Sequence, residues 1–148
     1  MGRASKMRIV RRRVQKALTL MELLMVLIIV GILAAIAIPV YLDFSIRTKV
    51  AELVLTAGSY RTAIAEKAEQ AGGVLTEAAA GLTVTPSGRV TGGSVTPDGV
   101  VTISGSAATL GTAVTVILTP SIGANGKVLW TCSAEPRVWK YVPSSCRN

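Results

Sequence analysis

A chain of 148 residues, half of them apolar and carrying a formal net charge of +8, has room for one modest domain beside any membrane segment, and not for two sizeable cores. Histidine is absent and cysteine occurs twice, which removes the commonest general base and any Cys/His cluster with metal-ligand spacing. No catalytic site, cofactor or metal is expected. The charge is also localised: residues 1–17 hold seven cations and no acid, while the rest carries nine cations and all eight acids. The basicity belongs to the N-terminal tip, so the net charge is not the signature of a nucleic-acid-binding body.

The tip is too basic to pack in a core, and Met7 is a second candidate start that would shorten it without changing its character. From Leu23 to Leu42 the next twenty residues carry no charge. At about 1.5 Å per residue they span roughly 30 Å as a helix, the thickness of a bilayer's hydrocarbon core. Cations before such a run mark a cytoplasmic end and place the C-terminal body across the membrane. A cleaved secretory signal has a shorter apolar run of about 7–15 residues and a small-x-small exit; here the run ends Pro39-Val40-Tyr41-Leu42-Asp43-Phe44, so it reads as a retained anchor. Just inside its start stands one acid, Glu22, whose burial at membrane depth costs about 3 kcal/mol unless it finds a partner or a proton.

After Phe44 the apolar pattern continues with helical period. Ile46, Val50, Leu53, Val54, Ala57, Tyr60, Ile64 and Ala68 recur every three or four residues, with Arg47, Lys49, Glu52, Arg61, Glu66, Lys67 and Glu69 between them. This predicts an amphipathic helix continuous with the apolar one, from about Leu18 to Ala71 and stopped by Gly72-Gly73. Such a helix is roughly 80 Å long; its first half needs lipid or other subunits, and its second half can dock on a sheet. Residues 72–99 read as an irregular connection with room for one short strand. Val100–Ile103, Ala113–Thr119 and Lys127–Cys132 come next as β-rich runs, separated by the turn signals Gly105-Ser106 and Asn125-Gly126. Short loops favour an antiparallel meander, and the fold class is α+β, one long helix on a small antiparallel sheet.

The tail, 133–148, has little regular pattern. A Cys132–Cys146 bridge would close a loop worth roughly 3 kcal/mol in chain entropy, and an oxidising compartment across the membrane favours it; the alternative is two buried thiols.

Lys16-Ala17-Leu18-Thr19-Leu20-Met21-Glu22-Leu23, continued by Gly31-Ile32-Leu33-Ala34-Ala35-Ile36-Ala37-Ile38-Pro39, resembles the class III signal motif of type IV pilins. The resemblance implies a leader, 1–17, cut by a prepilin peptidase between Ala17 and Leu18, then N-methylation of Leu18. It implies filament packing through the helix half 18–44, and a globular domain over 45–148. Glycine is usual before the cut and phenylalanine after it; with Ala17 and Leu18 in those places, slower processing is the expectation. Glu22 takes the place of the family's assembly glutamate, one helical turn from the new terminus. Gly31 and Pro39 bracket a section expected to bend in the isolated subunit and to unwind in a filament. Trp130-Thr131-Cys132 followed by Tyr141-Val142-Pro143-Ser144-Ser145-Cys146-Arg147 is similar to the disulfide-bounded loop, Cys132 to Cys146, of type IVa major pilins.

The function this implies is that of a non-enzymatic subunit of a helical homo-oligomeric filament, held in the inner membrane with its C-terminal domain periplasmic and then extracellular in the pilus. Its implied partners are the prepilin peptidase, the inner-membrane assembly machinery with its ATPases, and DNA or a host surface met through the filament. Trp139, Tyr141, Arg137, Lys140 and Arg147 are the candidate contact surface; packing and solvation alone are the other reading of them. The alternatives are a minor pilin or type II secretion pseudopilin, and a monomeric membrane-anchored binding protein.

Overall fold

Helix α1 runs from Leu20 to Gln70 without interruption in its helical assignment, through both Gly31 and Pro39. The computed structural model describes residues 19–148; the basic tip, Ala17 and Leu18 lie outside the described residues. By contacts the chain divides at residue 37 into an N-terminal unit and a body, Ile38–Asn148.

The helix starts on Thr19, whose Oγ1 accepts from the Glu22 N–H at 3.2 Å while its carbonyl accepts from the Leu23 N–H at 3.1 Å. It stops where glycines allow left-handed backbone: Gly72 and Gly73 have φ of 72° and 86°, and the Gly73 N–H returns to the Ala68 carbonyl at 2.8 Å. The predicted end, Ala71, falls one residue past the observed one. Within the body, all eight apolar positions of the amphipathic stretch face the core. Val50, Leu53, Ala57, Ile64 and Ala68 are buried, and Ile46, Val54 and Tyr60 pack against them. A residue repeating every three to four places stays on one side of a helix, and that side meets the sheet.

Four strands come after it: β1 (Gly92–Val95), β2 (Val101–Gly105), β3 (Val114–Ile122) and β4 (Val128–Ala134). They form one antiparallel meander in the order β1-β2-β3-β4. Alternation sets the faces: Val101, Ile103, Val114, Val116 and Leu118 are buried, and the residues between them are not. The β1–β2 turn closes with the Thr96 N–H on the Val100 carbonyl at 2.9 Å, and the Thr96 hydroxyl accepts from the Val100 N–H at 3.1 Å. At the β3–β4 turn, Gly126 adopts φ 76° and Asn125 Oδ1 accepts from the Lys127 N–H at 3.2 Å, as the Asn-Gly pair suggested.

The short strand for which 72–99 left room is β1, and a side chain on Gly93 would run into the Thr102 carbonyl of β2. Two details depart from the sequence expectation. Between β2 and β3 lies not a simple turn but a one-turn helix, α2 (Ala107–Leu110), capped by Ser106 and ended by Gly111 at φ 95°. β3 runs through Pro120 to Ile122, past the predicted Thr119; β2 begins opposite Leu118, so beyond that point β3 pairs only with β4, Pro120 lying opposite Trp130. A proline without an N–H is tolerated where one side of the strand has no neighbour.

Candidate assembly site and disulfide-bounded loop

Among the described residues of the N-terminal unit the helix has nothing to bury against. Every large apolar side chain from Leu20 to Leu33 is exposed, and in the body the same holds from Ile38 to Phe44. The helix is long and apolar enough to cross a membrane, with an 18-residue window of mean hydropathy 3.1 and none of that window buried. Apolar surface on this scale requires lipid or other chains. Glu22 interrupts it in the first turn. Among the described residues no cation pairs with its carboxylate, and the terminus expected to do so, at Leu18, lies outside them. Thr19 was not singled out from sequence, although Thr19-x-x-Glu22 has the spacing of a capping box; the Glu22 N–H on its hydroxyl supplies the half of that box seen here.

Gly31 and Pro39 both lie in helical backbone. Proline has no N–H to give the carbonyl one turn earlier, so the helix carries one fewer internal bond at Pro39. A Cβ on Gly31 would meet nothing within 4 Å, so no packing among the described residues demands glycine there.

At the other end of the chain, Cys132 of β4 and Cys146 of a closing 3-10 turn (Ser144–Cys146) are bonded, with Cα atoms 4.4 Å apart and both residues buried. The loop between them is tied inward. Trp139 Nε1 donates to the Ala134 carbonyl at 2.9 Å, Arg147 gives Nε and Nη2 to the Val142 carbonyl at 3.3 and 3.1 Å, and Asn148 Nδ2 donates to the Cys132 carbonyl at 3.2 Å. Lys140 Nζ reaches Asp43 of α1 at 3.4 Å and lies 4.6 Å from the Tyr141 ring centroid. Tyr141 first, and then Asp43, raise its ammonium above the ordinary value. Arg137 pairs with Glu135. The three tail cations singled out as a contact surface each have a partner within the chain, and the Arg137 and Lys140 side chains stay largely open to solvent.

A second tether was not legible in sequence. The Glu52 carboxylate accepts from the Arg89 guanidinium and, through its other oxygen, from the Arg89 backbone N–H at 3.2 Å. The Arg89 side chain first, and then its N–H, hold that carboxyl below its usual value. Arg61 lies over the Trp130 ring at 5.8 Å, joining α1 to β4.

Residues 46–147 match the pilin family of bacterial filaments, and residues 12–38 match the prokaryotic N-terminal methylation motif. The chain is similar to the fimbrial protein EcpC of Eikenella corrodens, 34% identical over 144 residues, covering 93% of this chain and 94% of the relative. The likeness to the type IV major pilin protein PilE1 of Neisseria gonorrhoeae is 48% over 52 residues, 35% of this chain and 32% of the relative. A fimbrial protein of Pseudomonas aeruginosa is 49% identical over 51 residues, 34% of this chain and 33% of that protein. The chain belongs to the pilin family of bacterial filament proteins, as a structural, non-enzymatic type IV pilin.

Proposed function

We propose that the chain is made as a prepilin, cut between Ala17 and Leu18 by a prepilin peptidase, methylated at Leu18, and polymerised into a pilus through the apolar half of α1. The observation that carries this is the run of exposed apolar side chains broken only by Glu22, inside a segment that matches the methylation motif. In the bilayer that surface is covered by acyl chains; in a filament it is covered by equivalent helices, so leaving lipid costs little apolar contact. The Glu22 carboxylate of an incoming subunit meets the methylated ammonium of one already in place. An unpaired charge in an apolar bundle is costly enough to make wrong axial registers unfavourable. Gly31 and Pro39 supply the section of helix that unwinds under load.

Before assembly the subunit stands in the inner membrane with its C-terminal body periplasmic, and extension and retraction are driven by separate ATPases of the assembly machinery. Adhesion, twitching motility and DNA uptake are then activities of the filament. N-terminal mass spectrometry of sheared surface fibres tests the reading: N-methylated Leu18 is expected. Fibres absent, with an intact Met1 or Met7 terminus in the membrane fraction, would leave a monomeric anchored protein instead. Abundance separates a major subunit, which dominates the sheared material, from a minor pilin or pseudopilin. The tail's one acid, Glu135, is engaged by Arg137, which leaves it poorly suited to a carboxylate-rich calcium site and favours the pilus subunit.

A further inference from the structure

Where the uncharged run ends, α1 changes character within two turns. Tyr41, Phe44, Ser45, Thr48 and Lys49 fall three and four apart on one face, and with Arg89 they line an open cleft of about 250 Å³. A second open cleft, of about 280 Å³, shares Phe44 and is completed by Val40, Asp43 and Arg47. The floor is apolar, Tyr41 and Phe44 being 69% and 67% exposed, and the rim is cationic.

The charges do not cancel. Arg47, Lys49, Arg89 and Lys140 stand against two acids, and both acids are taken, Asp43 by Lys140 and Glu52 by Arg89. Arg47 and Lys49 form no ion pair among the described residues. Glu52 occupies Nη1 and the backbone N–H of Arg89, so it holds the guanidinium in place and leaves Nη2 and Nε as donors.

Position selects the occupant. Along the helix axis Ser45 lies about 5 Å, and Lys49 about 10 Å, beyond Leu42, and a headgroup layer is roughly 5–8 Å deep on each side of the hydrocarbon. Helical side chains lean toward the N-terminus, which returns the Lys49 ammonium to that layer while its stem lies along apolar surface. Aromatic rings at this level belong to a membrane interface. We infer that before assembly this collar seats the phosphodiester of an anionic phospholipid, with Lys49 and Arg89 on the phosphate oxygens and Tyr41 and Phe44 against the glycerol and upper acyl chain. The apolar floor selects a lipid over a free phosphate ion. The inference rests on the reading that the apolar half of α1 stands in lipid before polymerisation.

The test is native mass spectrometry of the full-length protein released from bilayer discs of mixed phosphatidylglycerol and phosphatidylcholine. Preferential retention of phosphatidylglycerol is expected. Lys49→Gln should lower that retention about fivefold, the worth of one cation near an anionic surface, while Lys127→Gln, on the distant β3–β4 turn, leaves it unchanged. Equal retention of the two lipids, equal losses in the two variants, or displacement of phosphatidylglycerol by inorganic phosphate would overturn the inference. Failure to enter the discs at all would sink the membrane reading and this inference together, whereas insertion without lipid preference would sink the inference alone.

Discussion

Glu52 and Arg89, 37 residues apart, are joined twice, through the guanidinium and through the backbone N–H. The neighbouring Gly88 sits at φ 57°, where an added Cβ would come within 2.5 Å of Glu52 Oε1. One carboxylate therefore fixes the long connection between α1 and the sheet to the helix. Glycine suits Gly88 because its φ is left-handed, and a side chain there would also displace the Glu52 carboxylate. Because Glu52 has a lowered folded-state pKa, its contribution to stability is complete above its ordinary value of 4.5 and fades as pH falls through the lowered one. The difference in melting temperature between the parent and Glu52→Gln should be largest near neutral pH and shrink in acid; thermal melts across that range check it. A constant difference would show that the carboxylate charge contributes nothing.

Breaking the Cys132–Cys146 bond has a larger effect. Opening a loop of this size costs roughly 3 kcal/mol, which for a body of about 100 residues lowers the melting temperature by some 12–24 °C. Calorimetry of the paired Cys132→Ala, Cys146→Ala protein measures this. Because Trp139, Arg147 and Asn148 also tie the tail inward, the far-ultraviolet spectrum of the folded state should survive.

Gly99 and Gly126 make a controlled comparison. Both have positive φ, 87° and 76°, but a Cβ on Gly99 would approach Ile64 Cγ2 to 2.9 Å and Pro120 Cγ to 3.1 Å, whereas one on Gly126 would meet nothing within 4 Å. Each alanine variant carries the backbone penalty of about 1 kcal/mol; Gly99→Ala should lose a further 1–3 kcal/mol to overpacking. Urea titration of the two variants measures the excess, and equal midpoints would show that the core yields at that point.

Glu22→Ala should leave membrane insertion intact and reduce filament yield by an order of magnitude or more, the effect of losing about 1.4 kcal/mol or more per subunit contact. Immunoblots of sheared and membrane fractions read both quantities together. Normal yield in that variant would remove Glu22 from the assembly mechanism.

Pro39→Ala restores one helical hydrogen bond and should give filaments that extend less under load. Force–extension curves of single fibres measure the change; unchanged curves would place the compliant section elsewhere.

Much of this protein was legible as a one-dimensional string, for a physical reason. The uncharged run to Leu42, the three-to-four spacing from Ile46 to Ala68, the Gly72-Gly73 stop and the Asn125-Gly126 turn all express interactions spanning a few residues, so composition and period report them directly. The motif around Glu22 was equally local, and so was the lack of histidine. What tertiary structure alone decided is which distant groups meet. Nothing in local spacing pairs Glu52 with Arg89, Asp43 with Lys140, or Arg61 with Trp130, because each contact exists only once α1 and the meander are packed together. The same packing fixed where in 72–99 the short strand falls, at Gly92–Val95, and gave three tail cations partners within the chain. It also brought Arg89 to the cleft that Tyr41, Phe44 and Lys49 line.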